Sequence, residues 1–223
     1  MRDFDRDPAI NGILVQLPLP TQVNELDLLN CISPEKDVDG LHPFNIGSKR
    51  FLINSLRLGL AMKKRTPHFT SCTPLGVLKL IQSVCPNLEG KKVTVCGRSN
   101  IVGMPLALLL NKHNATVSLC HTRTSNIKDH LKDADIVVTA AGSPRFFKGD
   151  WFKPGSIAID VGINELIVPD ADPNTKRKIV GDIEYEKAIE RCSFITPVPG
   201  GVGPMTITML MSNIVDSWEK ANF

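Results

Sequence analysis

The feature that most constrains the fold is an alternation of short apolar runs and helical patterns between Lys91 and Thr196. Short apolar runs bounded by glycine, asparagine or charged residues predict buried strands, and apolar residues at helical spacing predict helices. Strands are predicted at 93–96, 115–120, 135–140, 156–161, 178–180 and 193–196, and helices at 105–110, 126–134, 184–191 and 204–221. Because right-handed crossovers join successive strands through helices, this order predicts a parallel sheet and an α/β fold.

The first 73 residues predict less regular structure. The apolar run 13–17 ends at Pro18 and predicts a buried strand, and a helical pattern covers 24–32. Thr73 and Pro74 predict the N-cap and the first residue of a helix with an apolar face formed by Val77, Leu78 and Ile81. Before it, the stretch 51–60 is half apolar and the basic run 63–65 predicts a solvated surface loop.

Composition excludes several classes of protein. Hydrophobic residues make up 42% of the 223-residue chain and charged residues 22%, which is typical of a globular protein. The formal net charge of +3 is too small to suggest a nucleic-acid partner. No apolar run approaches the roughly 20 residues of a membrane span. The start, M-R-D-F-D-R-D-P, lacks an apolar core and predicts neither a secretory signal nor a transit peptide.

The six cysteines are widely spaced and contain no Cys-x-x-Cys pair. They predict free thiols in a reducing compartment, and no metal site is expected. These residues are Cys31, Cys72, Cys85, Cys96, Cys120 and Cys192.

The turn after the strand 93–96 predicts a phosphate site. Gly97, Arg98 and Ser99 follow the strand, and Gly103 stands where the next helix starts. Backbone N–H groups at a helix start point outward, and the helix dipole favours an anion. The spacing G-x-x-x-x-x-G departs from the dinucleotide fingerprint G-x-G-x-x-G, so nucleotide binding and a packing turn both remain open.

The end of the next strand bears on the choice of nucleotide. A carboxylate at this place commonly binds a ribose 2′-hydroxyl, but here His121, Thr122 and Arg123 follow the strand. A hydroxyl and a guanidinium, with Arg98 nearby, favour a 2′-phosphate and hence NADP over NAD. The alternative is that Arg123 simply lies on the surface. His121 has no nucleophile to pair with and is expected to be structural.

Three further features suggest ligand contacts without requiring them. Asp39, in the acidic turn 34–40, either lies in solvent or accepts two parallel N–H bonds from an amino-pyrimidine ring. Gln16 ends the run 13–17 and either satisfies backbone groups or faces a ligand. The loop 195–206 holds three prolines and three glycines, which fix its path, and Pro204 suits the first turn of the helix that follows.

Seven motifs occur in a fixed order along the chain: G-I-L-V-Q-L-P-L-P (12–20), P-E-K-D-V-D-G (34–40), C-T-P (72–74), G-R-S-x-I-V-G-x-P (97–105), D-V-G-I-N (160–164), V-G-D (180–182) and I-T-P-V-P-G-G-V-G-P-M-T (195–206). Together they resemble the methylenetetrahydrofolate dehydrogenase/methenyltetrahydrofolate cyclohydrolase family. The resemblance covers nearly all of the chain.

The resemblance implies a two-domain α/β enzyme. Residues 1–73, completed by the helix 205–223, would form an incomplete α/β folate-binding catalytic domain, and residues 74–204 a Rossmann-like NAD(P)-binding domain with a parallel sheet. Such enzymes transfer a hydride from 5,10-methylenetetrahydrofolate to NADP, or to NAD in some members. They then hydrolyse the methenyl product to 10-formyltetrahydrofolate.

The resemblance also assigns residues. Asp39 would anchor the pterin ring, and Gln16 would help to orient the catalytic base, so that both count as catalytic. The tetrahydrofolate substrate would contact Val15, Gln16, Leu17, Asp39, Pro199, Gly200, Gly201, Val202, Gly203, Pro204, Met205, Thr206 and Ile207. The cofactor would contact Gly97, Arg98, Ser99, Thr122 and Ile163.

The sequence departs from the family in two places. The family carries a Tyr-x-x-x-Lys motif whose lysine is the acid/base of the cyclohydrolase step, but the twelve residues before Ile13 contain neither tyrosine nor lysine. The link 51–69 is also longer than usual. We therefore expect an N-terminally truncated member, with an alternative in which the chain retains only cofactor binding and dimerisation. An unrelated NADP-dependent dehydrogenase is disfavoured by the motifs 34–40 and 195–206.

Partners and compartment follow from the resemblance. The family commonly forms homodimers through its cofactor domain, so a homodimer is expected, with no membrane or nucleic-acid partner. The cytoplasm is the expected compartment, and the mitochondrion fits the cysteines equally well.

Overall fold

The computed structural model describes residues 1–47, 68–167 and 177–223. In these ranges the strands are β1 (Lys92–Cys96), β2 (Thr116–Cys120), β3 (Ile136–Thr139), β4 (Ile157–Asp160), β5 (Asn164–Ile167), β6 (Arg177–Val180) and β7 (Phe194–Ile195). Five of them form a parallel sheet in the order β2-β1-β3-β4-β7. The predicted α/β fold with a parallel sheet is therefore confirmed.

The helices are α1 (Arg2–Arg6), α2 (Glu25–Leu29), α3 (Cys72–Val84), α4 (Gly103–Lys112), α5 (Ile127–Lys132), α6 (Tyr185–Ala188) and α7 (Val202–Asn222), with a 3-10 turn at Gly149–Trp151. No helix of the described residues is both long enough and apolar enough to cross a membrane. The stretches 51–60 and 63–65 lie outside the described residues.

Helices cover both faces of the parallel sheet. Val93 and Val95 of β1 point into a core shared with α3 and α4, whereas Cys96 belongs to a second core that includes Leu131 of α5. Successive side chains of a strand point to opposite faces, so a strand that is buried on both faces has a nearly continuous apolar sequence. This property made β1 and β3 recognisable from the sequence.

One predicted strand has a different partner from the one expected. β6 covers the predicted strand 178–180, but it pairs antiparallel with β5 outside the main sheet. The implied parallel pairing is therefore wrong for this strand. β5 was not predicted because its residues alternate between exposed and half-buried positions, without an apolar run.

The predicted buried strand 13–17 is also wrong. Only Ile13 makes a bridge, to Asp37, and Leu14 is 40% exposed. Pro18 lacks a backbone N–H and cannot extend the hydrogen bonding between neighbouring strands. The apolar residues of the run instead join a small separate core made by Ile13, Val15, Leu29, Ile32 and Leu41.

Three helix boundaries differ from the predictions. Thr73 is not the N-cap of α3, because the helix begins at Cys72 and Ser71 occupies the cap position. The hydroxyl of Ser71 donates to the carbonyl oxygen of Gly40 at 2.9 Å and so joins two distant segments. The predicted helix 184–191 is confined to α6, and the predicted helix 24–32 is confined to α2, whose N-cap is Asn24.

The C-terminal helix α7 joins the N-terminal region to the rest of the chain. Its Asn213 side chain donates to the carbonyl oxygens of Val38 at 2.8 Å and Thr70 at 3.0 Å, and its Ser217 hydroxyl donates to Glu35 at 3.3 Å. Pro204 lies in the first turn of this helix, as predicted. Long-range polar bonds from α7 thus hold residues 35–38 beside the start of α3.

A substitution at Gly40 tests this packing, because the φ of +68° and the neighbouring backbone both exclude a side chain at this position. A Cβ there would lie 2.7 Å from the nitrogen of Ser71. Gly90 has a similar φ of +73°, but a Cβ at that position would meet nothing within 4 Å. We expect Gly40→Ala to lower the free energy of unfolding by about 3 kcal/mol, against about 1 kcal/mol for Gly90→Ala.

Urea unfolding followed by circular dichroism measures both variants, with Gly90→Ala as the matched control for the backbone conformation alone. Equal losses would show that the contact with residues 70–71 does not constrain Gly40.

Candidate functional site

A cavity of about 400 Å³ lies at the carboxyl ends of β1, β2 and β3. Its walls come from the last residues of β1 and β2 and from the residues that follow the three strands: Cys96, Gly97, Arg98, Cys120, His121, Thr122, Thr124, Ala140, Ala141 and Ser143, with Ile127, Phe146 and Phe147. β1 lies between β2 and β3, so the chain leaves it in one direction and later returns on the other side. Open parallel sheets bind ligands at this kind of switch point.

The turn from β1 to α4 requires its glycines for close backbone approach. Gly97 has a φ of +136°, and a Cβ there would overlap the carbonyl oxygen of Ala140. A Cβ on Gly103 would overlap the carbonyl oxygen of Gly97. The two glycines therefore let the turn pack closely against itself and against the residue that follows β3. Of the two, Gly97 lines the cavity.

Arg98 and Ser99 have different surroundings in this turn. Arg98 is exposed and lines the cavity. The Ser99 hydroxyl accepts the N–H groups of Val102 at 3.2 Å and Gly103 at 3.4 Å, so it caps the start of α4. Ser99 remains a predicted cofactor residue, but in this structure its side chain serves the helix.

The turn after β2 contributes hydroxyl groups and no carboxylate. The ring nitrogen Nδ1 of His121 accepts the N–H of Arg123 at 3.1 Å, and the N–H of His121 donates to the Thr124 hydroxyl at 2.9 Å. These bonds support a structural role for His121. Thr122 lines the cavity, whereas Arg123 is exposed and does not. The described lining residues include one cation, Arg98, and no acid.

A second cleft, of about 250 Å³, lies between the N-terminal region and the helices α3 and α7. It is lined by Leu14, Val15, Gln16, Leu17, Asp39, Leu41, Ser71, Cys72, Thr73, Ile101, Val102, Thr206, Ile207 and Leu210. Six residues predicted for substrate binding, from three distant stretches, therefore meet in one place: Val15, Gln16, Leu17, Asp39, Thr206 and Ile207.

The turn that carries Asp39 is held by its neighbour Asp37. The carboxylate of Asp37 is 2% exposed and accepts the N–H groups of Leu41 at 3.2 Å and His42 at 2.8 Å. It also accepts the side-chain N–H of the fully buried Asn45 at 2.8 Å. Burial nevertheless raises the pKa of Asp37, because desolvation outweighs these bonds. Asp37 thus fixes the turn, and the side chain of Asp39 is left to face the cleft.

Asp39 is half-buried, and burial raises its pKa above the ordinary value of 3.8. The nearby Cys72 thiol opposes this shift, and the charge of Asp37 adds to it. Desolvation and the Asp39 charge in turn raise the pKa of Cys72, so this thiol stays protonated and able to donate. A desolvated carboxylate at a cleft wall binds a pair of N–H donors more strongly than an exposed one.

The sequence prediction missed several cleft residues. Cys72 and Thr73 lie in the motif C-T-P, and Ile101 and Val102 lie in the glycine turn, so a signal was present, but it favoured helix capping and phosphate binding instead. Leu210 carries no signal beyond the apolar pattern of α7.

Some predicted residues do not line either space. Ile163 is 72% exposed and lies outside the cavity wall. None of the predicted substrate residues from Pro199 to Met205 lines the cleft, and Val202 among them is buried in the core. Gln16 lines the cleft, but its side chain is exposed and its amide donates to the carbonyl oxygen of Leu17 at 3.0 Å. The roles of these residues remain predictions.

The glycine turn 97–103 borders both spaces. Gly97 and Arg98 line the cavity, and Ile101 and Val102 line the cleft. One short loop thus forms part of the walls of both spaces. Within the described ranges no cluster of three or more histidine, cysteine or acidic side chains could hold a metal ion.

Comparison with known families gives two matches along the chain. Residues 71–222 match the family described as tetrahydrofolate dehydrogenase/cyclohydrolase, NAD(P)-binding domain. Residues 1–39 match the catalytic domain of the same family.

Individual relatives agree with these matches. The Bifunctional protein FolD 2 of Geobacter sulfurreducens is 46% identical over 221 residues, which cover 99% of this chain and 70% of the relative. The chloroplastic Bifunctional protein FolD 4 of Arabidopsis thaliana is 50% identical over 219 residues, 97% of this chain but 57% of the relative. The chain therefore spans only part of the length of these relatives.

A solved structure is also similar. The methylenetetrahydrofolate dehydrogenase-cyclohydrolase of Trypanosoma brucei, complexed with NADP and an inhibitor, superposes with a TM-score of 0.85 at 37% identity. The match covers 98% of this chain and 70% of that one.

Proposed function

Because this chain belongs to the tetrahydrofolate dehydrogenase/cyclohydrolase family, we propose that it acts in one-carbon folate metabolism. The proposed reaction is the NADP-dependent oxidation of 5,10-methylenetetrahydrofolate to 5,10-methenyltetrahydrofolate, followed by hydrolysis to 10-formyltetrahydrofolate.

The observation that carries this proposal is the turn 97–103, which borders both the cavity and the cleft. Hydride transfer needs the donor and acceptor carbons in contact, and a loop that forms part of both walls places the two spaces next to each other. Bound NADP supplies the chemistry by accepting the hydride. The protein's part is to hold both molecules in line and to exclude water between them.

The proposed roles in the cavity follow from its walls. Gly97 and Thr122 would contact the cofactor through backbone and hydroxyl groups, and Arg98 would bind the 2′-phosphate of NADP. Ser99 would act by holding the start of α4, where its hydroxyl accepts the N–H groups of Val102 and Gly103. Ile163 is exposed and would contact the nicotinamide end from outside the cavity wall.

The proposed roles in the cleft depend on Asp39. Its carboxylate would accept two N–H bonds from the pterin, while Val15, Leu17 and Ile207 would pack on the ring. Gln16 would orient the base of the reaction once its amide leaves the carbonyl oxygen of Leu17. The residues from Pro199 to Met205 would complete the site beyond the cleft wall, next to Thr206, which lines the cleft.

Assembly and compartment are part of the proposal. We expect a homodimer through the NAD(P)-binding domain, measurable by light scattering. The free thiols fit a reducing compartment, and we assign the cytoplasm, with the mitochondrion as the alternative.

The proposed function is tested by incubating the purified 223-residue chain with 5,10-methylenetetrahydrofolate and either NADP or NAD. Reduced nicotinamide and methenyltetrahydrofolate are followed separately by absorbance. We expect reduction with NADP, and the absence of a Tyr-x-x-x-Lys motif from these residues predicts that methenyltetrahydrofolate accumulates.

Reduction without accumulation would show that hydrolysis proceeds by other residues. If neither cofactor is reduced although NADP binds measurably, the proposed dehydrogenase activity is refuted. The alternative of a cofactor-binding module is then favoured.

Asp39 predicts a pH dependence of folate binding. Only the ionised carboxylate accepts both N–H bonds, and its pKa is raised in the free protein, so affinity falls as the pH is lowered through that raised pKa. As the pH is lowered, the Kd for folate rises by up to about tenfold per pH unit. The rise begins at a pH above 3.8, the ordinary pKa of Asp.

Asp39→Asn removes both the charge and its titration. We expect the Kd for tetrahydrofolate at neutral pH to rise by about tenfold to a hundredfold, and the extra pH dependence of the native chain to disappear. Calorimetric titration measures both, with the exposed Asp27→Asn as the control. A parallel pH profile for Asp39→Asn and the native chain would refute the anchoring role.

The walls of the cavity predict which arginine selects NADP. Arg98 lines it and Arg123 does not, although both follow strand ends. We expect Arg98→Gln to raise the Kd for NADP by about tenfold and to leave that for NAD unchanged, because only NADP carries the 2′-phosphate. Arg123→Gln is the matched control, and a larger effect from that variant would reverse the assignment.

A further inference from the structure

Asp182 is a fully buried carboxylate that the proposed roles above do not use. One of its oxygens accepts the N–H groups of Ala141 at 2.7 Å and Gly142 at 3.2 Å. The other accepts the N–H of Ser143 at 2.8 Å and the side-chain N–H of Asn164 at 2.9 Å. Four donors, three of them from consecutive residues, thus converge on one side chain.

These donors belong to two different segments beside the cavity. Residues 141–143 follow β3, and Ala141 and Ser143 line the cavity. Asn164 follows Ile163, the residue assigned to the cofactor by resemblance. Asp182 therefore joins the wall after β3 to the segment after β4, although it lies on neither.

Asp160, at the end of β4, holds Asp182 in turn. Its carboxylate accepts the N–H groups of Gly162 and Asp182, both at 3.0 Å, and of Ile183 at 2.9 Å, together with the Thr139 hydroxyl at 3.1 Å. Desolvation raises the pKa of Asp160 despite these bonds. The backbone of Asp182 is thus tied to the ends of β3 and β4 before its side chain reaches the wall.

The glycines of the motifs D-V-G-I-N and V-G-D fit these carboxylates. A Cβ on Gly162 would overlap the carboxylate of Asp182, and a Cβ on Gly181 would overlap that of Asp160. The glycine of each motif therefore makes room for the aspartate of the other, so the two motifs interlock.

Simple satisfaction of buried N–H groups does not account for this arrangement. Ala141 and Gly142 are exposed residues, whose N–H groups water could satisfy if the loop were free. A buried carboxylate is costly in free energy unless it is fully hydrogen-bonded, so Asp182 needs the N–H groups of these exposed residues. The loop that supplies them is therefore held in one conformation.

We propose that Asp182, held by Asp160, is a positioning residue for cofactor binding: its carboxylate gives residues 141–143 and 163–164 the shape that contacts the cofactor. This inference rests on the proposed function, because it requires that the cavity binds NADP or NAD.

The test compares Asp182→Asn with the native 223-residue chain. The amide keeps the size of the side chain but replaces one acceptor oxygen with a donor that faces N–H groups. We expect the Kd for NADP to rise at least tenfold by calorimetry, the amides of residues 141–143 to exchange hydrogen faster, and the Kd for tetrahydrofolate to remain unchanged.

Two further variants make the result specific. Asp133→Asn, an exposed aspartate at the opposite end of the sheet, is the matched control and should bind NADP normally. Asn164→Ala removes one of the four bonds to the Asp182 carboxylate, together with a longer bond to the carbonyl oxygen of Val180 at 3.4 Å, and leaves the carboxylate in place. We therefore expect a smaller increase in the Kd for NADP, of about threefold, even if Asp182→Asn does not fold.

The outcomes separate the two proposals. If the native chain binds neither NADP nor NAD, the proposed function fails, and this inference fails with it. If the native chain binds NADP, and Asp182→Asn and Asn164→Ala bind it equally well, only the positioning role is refuted. A fall in stability with unchanged NADP affinity has the same meaning, because it is the result that a purely structural role gives.

Discussion

The buried carboxylates of Asp160 and Asp182 are the interaction on which the rest of the structure depends. The strands of the central sheet are parallel, so their carboxyl ends all lie at the same edge of the sheet. Backbone N–H and C=O groups beyond these ends no longer have hydrogen-bond partners in a neighbouring strand. The two carboxylates accept six backbone N–H groups: four follow β3 and β4, and two follow β6, which lies outside the central sheet. They order the edge at which a parallel sheet binds its ligand, and the cavity has a defined shape as a result.

The same principle operates at the cleft with another buried carboxylate. Asp37 accepts three N–H groups and fixes its turn, so that the neighbouring Asp39 faces the cleft with a raised pKa. Asn213 holds this turn against the start of α3 from the far end of the chain. In both places buried carboxylates fix the backbone, and a neighbouring group is left to face the space in which we propose that a ligand binds.

Some elements of the fold were predictable from the sequence and others were not. β1 and β3 were recognisable because burial on both faces makes a strand uniformly apolar, whereas β5 carries no such run and was missed. The run 13–17 has the composition of a strand, but beyond the bridge from Ile13 to Asp37 its residues pack in a small core instead. The local sequence pattern therefore predicts which residues are buried more reliably than it predicts which strands pair.

The sequence by itself determined the parallel α/β fold, the glycine turn 97–103 and, through its motifs, the family. These depend on apolar period and on backbone conformations that only particular residues adopt. Only the tertiary structure decided that Val15, Asp39 and Ile207 share a cleft, that Arg98 rather than Arg123 lines the cavity, and that Asp182 joins the segments after β3 and β4. Those relations link residues far apart in the chain, and their distances arise from packing, on which local sequence carries no information.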